Sequence, residues 1–140
     1  MPQKEITLPR KLVNELLHQA QLTPNFEVCG FISAKDGLPK KAYPIKNVAS
    51  MPETRFLMDP EEQLTTTNTI KDNGDELFAI YHSHPTSAAR PSIQDSEQAP
   101  FDDLYYLIIS LNTKGVLEMR CFHLSHDENI VEARLVMSEN

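Results

Sequence analysis

Apolar residues along the chain follow two periods in turn, and their order predicts its elements. Ile6 to Leu8 reads as a short strand, after which Pro9 suits the first turn of a helix. Leu12, Val13, Leu16, Leu17 and Ala20 then recur at helical spacing, until Thr23-Pro24 ends the stripe. Val28 to Ser33 reads as a buried strand stopped by Asp36-Gly37, and Ala42 to Val48 as another strand. Asp59-Pro60-Glu61-Glu62 has the order of a cap, a first-turn proline and a capping-box carboxylate. A helix is therefore expected from there to about Asn73-Gly74. Leu77 to His82 is an apolar strand that delivers a histidine at its end.

Small and breaker residues make Pro85 to Pro91 a loop, with a short helix expected from Ser92. Leu104 to Leu111 predicts a central strand. Gly115 to Leu124 and Ile130 to Met137 alternate on either side of a five-residue connection, the pattern of an antiparallel hairpin. No repeat or linker interrupts the chain, so residues 1–140 are expected to form one domain. The fold class expected is α/β or α+β, a mixed sheet flanked by helices with an antiparallel C-terminal hairpin.

Composition narrows the partners. A formal net charge of -7 with scattered Lys and Arg disfavours nucleic acid, whose phosphates require a basic face. The longest apolar run, Leu104 to Leu111, is too short to span a bilayer, so no membrane association is expected. Lys4, Glu5, Arg10 and Lys11 come with no apolar stretch, so no secretory signal is expected, and a reducing cytoplasm is the expected compartment. Cys29 and Cys121 lie in apolar surroundings and read as buried thiols. Nothing in the pattern sets an oligomeric state.

The candidate chemistry lies in Tyr81-His82-Ser83-His84-Pro85 and Ser92-Ile93-Gln94-Asp95. Two histidines one residue apart on a strand share a face, because side chains alternate with period two. Asp95, eleven residues beyond His84, could return after one turn to complete a three-ligand N/N/O site. Such a set leaves a position open, as catalytic zinc requires. Taken separately, each part has a plainer reading. Five histidines in 140 residues would give a His-x-His pair by chance roughly 0.2 times per sequence. Ser92 and Asp95 also fit a capping box.

A hydrolytic metal site needs a general base that is not a ligand. Glu27, beside a buried strand, is the candidate, with a solvated loop carboxylate as the other reading. Arg90 could meet a substrate carboxylate or simply be a solvated charge. His18, His123 and His126 receive no role.

Glu27, His82-Ser83-His84-Pro85 and Ser92-Ile93-Gln94-Asp95 together resemble the JAMM (MPN+) metalloprotease motif, with every spacing in agreement. Glu27 to Phe31, Arg55 to Pro60 and the Ile130-Val131-Glu132 strand are similar to the small prokaryotic members. That resemblance implies a cytidine-deaminase-like fold and a zinc-dependent peptidase or isopeptidase. It also implies zinc held by His82, His84 and Asp95, Glu27 as general acid/base, and Ser92 steadying the oxyanion. The implied substrate is the Gly-Gly tail of a ubiquitin-like sulfur-carrier protein. Two other readings use the same fold: a non-catalytic MPN-type binding module, and a RadC-like domain. The complete motif counts against the first. Thr86-Ser87-Ala88, where RadC-like domains usually have Ser-Gly after the proline, counts against the second.

Overall fold

A computed structural model describes residues 4–89, 104–111, 118–124 and 130–139. Its described elements are β1 (Glu5–Pro9), α1 (Arg10–Leu22), β2 (Cys29–Lys35), β3 (Leu38–Ile45) and α2 (Pro60–Asp72), followed by β4 (Glu76–His84), β5 (Tyr105–Ser110), β6 (Glu118–Leu124) and β7 (Ile130–Ser138). The strands form one mixed sheet in the order β1-β7-β6-β5-β4-β2-β3. β4 and β5 run parallel, as do β1 and β7, and the other pairs are antiparallel. The sheet curls enough to bring its outer strands β1 and β3 into contact. This is the mixed α+β architecture expected, including the antiparallel pairing of β6 with β7. The connection 125–129, the start of the expected strand at Gly115 and the helix expected from Ser92 lie outside the described residues.

Among the described residues, one helix covers each face. The α1 stripe buries Leu12, Leu16 and Ala20 against Ile6, Leu8, Ile32, Tyr81, Leu107 and Ile109. On the opposite face Ile70 of α2 joins Cys29, Phe31, Phe56, Met58, Ile80 and Tyr106. β4 therefore contributes alternately to two half-cores, Ala79 and Tyr81 to one and Ile80 to the other. With both faces covered, β2 and β5 have no polar face, which is why they read as apolar runs.

Three local expectations are corrected. Pro9 closes β1 and caps α1 from an extended conformation (φ -59°, ψ 141°), one position before the helix rather than in its first turn. β3 begins at Leu38, earlier than the expected Ala42, because Asp36-Gly37 is a two-residue hairpin turn. Both turn residues have positive φ, 52° and 81°, as a hairpin of this length requires. Pro39 and Pro44 can remain in this strand because it lies at the sheet edge. Asp59 caps α2 by accepting from the Glu62 amide at 3.1 Å. Glu62, however, does not close the capping box: its carboxylate accepts from the Lys46 amide at 3.0 Å, and the Asp59 amide bonds Lys46 O.

Neither cysteine is in a disulfide, and both are buried. Burial pushes each thiol up to about 12, with Glu27 and Glu62 adding repulsion at Cys29 and Glu132 at Cys121. The thiolate is the reactive form, and burial disfavours it. Iodoacetamide at mildly alkaline pH should therefore leave both unmodified in the native protein and alkylate both once it is unfolded. Native labelling at the unfolded rate, read by intact mass, would refute the burial.

Candidate active site

The site begins where β4 ends. His82 and His84 follow Ile80 on the α2 side of the sheet, and both are buried. Phe56 stacks on the His82 ring with centroids 4.5 Å apart and planes 23° off parallel. The two imidazoles converge, His82 Nε2 lying 3.0 Å from His84 Nε2. His84 Nδ1 is 2.8 Å from the Ala88 carbonyl oxygen, which can only accept. The ring must therefore carry its proton on Nδ1, leaving the Nε2 lone pair directed at His82. That is how histidine is usually oriented as a metal ligand. The Ser110 hydroxyl donates to Ser87 O at 2.7 Å and the Leu111 amide to His84 O at 3.0 Å, fastening the turn that supplies the Ala88 carbonyl.

Glu27 reaches the same point from the neighbouring strand. It precedes β2, whose first residue, Cys29, pairs with His82. Only 5% of Glu27 is exposed, which excludes the solvated loop carboxylate. One carboxylate oxygen and one nitrogen from each of His82 and His84 all lie within 4.8 Å of one another. Ser83, between the histidines, faces away and aligns the two strands: its hydroxyl accepts from the Val28 amide at 2.9 Å, and its own amide donates to Val28 O at 3.0 Å.

The expected residues Glu27, His82 and His84 are thus brought together, whereas Ser92, Asp95 and Arg90 lie outside the described residues. His18 is exposed on α1, and His123 packs edge-on against Tyr105. The residues around the cluster to which no role was given beforehand are Ser83, Phe56 and Ala88. Ser83 carried a signal in its position between the two histidines, and Phe56 in the Arg55 to Pro60 segment that resembles the small prokaryotic members.

The donor set fits a metal. Two buried imidazoles with converging Nε2 atoms and one carboxylate suit zinc or a similar divalent transition ion. They suit calcium or magnesium poorly, since those ions favour oxygen.

Residues 9–123 match the family model described as prokaryotic homologs of the JAB domain. This chain belongs to the prokaryotic JAB family. The family is the small prokaryotic JAMM/MPN type that the motif resembles. Among JAB relatives, a protein named desampylase from Haloferax volcanii is 37% identical over 89 residues, 62% of this chain. The match spans 64% of that relative's length, a little under two thirds. The CysO-cysteine peptidase of Mycobacterium tuberculosis is 29% identical over 115 residues, covering 81% of this chain and 78% of that protein. The solution structure of protein DSY2949 from Desulfitobacterium hafniense is 34% identical and superposes with a TM-score of 0.85 over 96% of this chain and 94% of that one. No described helix of this JAB chain is long and apolar enough to cross a membrane.

Proposed function

We propose that this JAB protein is a zinc-dependent peptidase or isopeptidase. It cuts after the C-terminal Gly-Gly of a ubiquitin-like sulfur-carrier protein. Its hydrolase character rests on the family and on relatives named desampylase and CysO-cysteine peptidase. The observation behind the chemistry is the buried convergence of the Glu27 carboxylate with His82 and His84, whose Nε2 atoms lie 3.0 Å apart. The names of the Haloferax and Mycobacterium relatives motivate the substrate class.

In this reading His82 and His84 hold zinc, with Asp95 as third ligand by its place in the motif. Bound zinc supplies Lewis acidity, making water easier to deprotonate and a carbonyl easier to attack. Glu27, in a buried setting that favours proton transfer over solvation, takes the proton from the attacking water. It then delivers that proton to the amine leaving the Gly-Gly carbonyl. The Ser92 hydroxyl donates to the developing oxyanion. The His84–Ala88 bond holds one imidazole in the tautomer that zinc binding needs.

The test is incubation of zinc-loaded protein with a ubiquitin-like carrier whose Gly-Gly terminus is joined to an amine, followed by intact-mass measurement. The carrier should lose that cargo at the Gly-Gly bond, stop doing so when zinc is chelated, and resume when it is restored. About one zinc per chain should accompany activity. Failure to cut any such carrier when fully loaded would remove the substrate assignment. Failure to bind zinc at all would remove the metal assignment.

A further inference from the structure

Glu27 lies just ahead of β2, so the sheet ladder does not fix its peptide groups. They are held by the segment 46–58 instead. The Glu27 amide donates to Pro52 O at 2.7 Å, and the Asn47 side-chain amide donates to Glu27 O at 2.9 Å. The same Asn47 nitrogen donates to Arg55 O at 2.9 Å. On its other side, Asn47 Oδ1 accepts from the Ala49 and Leu57 amides, both at 3.0 Å. Two carbonyls can only accept and two amides can only donate, so the orientation of this carboxamide is fixed by its partners. All four of its hydrogen-bonding positions are used.

We infer that Asn47 is the positioning residue for the Glu27 carboxylate, a role that rests on the base function proposed for Glu27. The segment is a closed unit, joined at its neck by the Asn47–Met58 bridge and by Asp59 N to Lys46 O at 2.9 Å. Pro52 at one part of it holds the amide of Glu27, and Asn47 at the neck holds the carbonyl. Phe56 on the returning limb stacks on His82. A single side chain thereby sets the base and the shelf under one histidine in a common frame. From the other side Ser83 holds Val28, so the Glu27–Val28 peptide is gripped from both directions.

The required accuracy explains why such a clamp matters, because a displacement of about 1 Å in a reacting group can lower a rate on the order of 10²-fold. Asn47, Glu27 and Pro52 also border a cleft of about 310 Å³. Water can reach the carbonyls there when the carboxamide is removed, so the fold should survive while the alignment is lost.

Asn47→Asp separates alignment from loop shape, because it keeps the acceptor for Ala49 and Leu57 but places a carboxylate against the carbonyls of Glu27 and Arg55. On the Gly-Gly-linked carrier its kcat should fall on the order of 10²-fold, with KM within about threefold of the parent. Zinc content and melting temperature should stay near the parent's. Asn47→Ala should lose kcat similarly. Independently of turnover, hydrogen exchange at the Glu27 amide should quicken at least about tenfold in both variants, while amides of the β2–β4 ladder keep their protection. Unchanged kcat in Asn47→Asp, unchanged exchange at Glu27, or a rate loss that merely follows zinc loss or unfolding would each overturn the assignment. Should the unaltered protein cut no carrier, the functional reading fails, and the Glu27 exchange rate still decides the clamp.

Discussion

Glu27→Gln should lower turnover by about 10² to 10⁴-fold while the protein stays folded and keeps its zinc. The carboxamide has nearly the same shape, and both backbone bonds of residue 27, to Pro52 O and from Asn47, are independent of the side chain. What disappears is the ability to accept a proton. The measurement pairs kcat on a Gly-Gly-linked carrier with zinc content and a thermal melt. Its three readings assign the role of this carboxylate, which lies close enough to both histidines to serve as a ligand instead. Activity lost with zinc retained identifies a base, whereas activity and zinc lost together identify a ligand. Parental turnover would eliminate Glu27 from the chemistry.

The second large effect is on stability. Gly30→Ala should destabilise the fold by about 3 kcal/mol, the upper part of the usual range for overpacking. A methyl group at Gly30 would lie 2.3 Å from the Tyr43 carbonyl oxygen, 2.6 Å from the Tyr81 hydroxyl and 2.7 Å from a Tyr81 ring carbon. None of these can retreat cheaply. Tyr43 belongs to β3, paired with β2, and Tyr81 is fully buried with its hydroxyl donating to Gln19 at 2.5 Å. The melting temperature should drop by roughly 10 °C for a chain of this size. Adding Tyr81→Phe removes only the hydroxyl contact, so the double variant should remain well below the parent. A Gly30→Ala protein that melts with the parent would show that β2 and β3 can separate without penalty.

The sequence was most legible where one physical signal acts over many residues. The α1 stripe, the Asp59 cap and the apolar runs of β2 and β5 each reflect burial or capping, which residue type reports directly. β3 was read from Ala42 to Val48 instead of Leu38 to Ile45, because edge prolines weaken a strand pattern while still permitting the strand. Glu62 left its capping box because Lys46, sixteen positions away, offered an amide that local spacing cannot reveal. The site divides in the same way. Glu27, His82 and His84 were visible because their residue types and spacing carry the chemistry. Asn47 was invisible because an asparagine in a polar loop has no periodicity, and its importance lies in four partners drawn from separate stretches of backbone. Ser92 and Asp95 rest on the motif.

The pairing of β1 with β7 has a consequence for the order in which the chain matures. Of the described strands, Glu5 to Pro9 emerge first during synthesis, yet their partners, Arg134 to Ser138, emerge last. Until then Ile6 and Leu8 have no ladder partner, only the contact of β1 with β3, and α1 has an incomplete floor. Glu27, Asn47, His82 and His84 all precede β7, so the candidate cluster is synthesised before the sheet can close. Closure then depends on bringing together the described strands farthest apart in sequence, a slow class of step for a folding domain. A nascent chain stalled before β7 would thus hold Glu27, His82 and His84 beside an open apolar edge, the species on which aggregation and chaperone capture would compete.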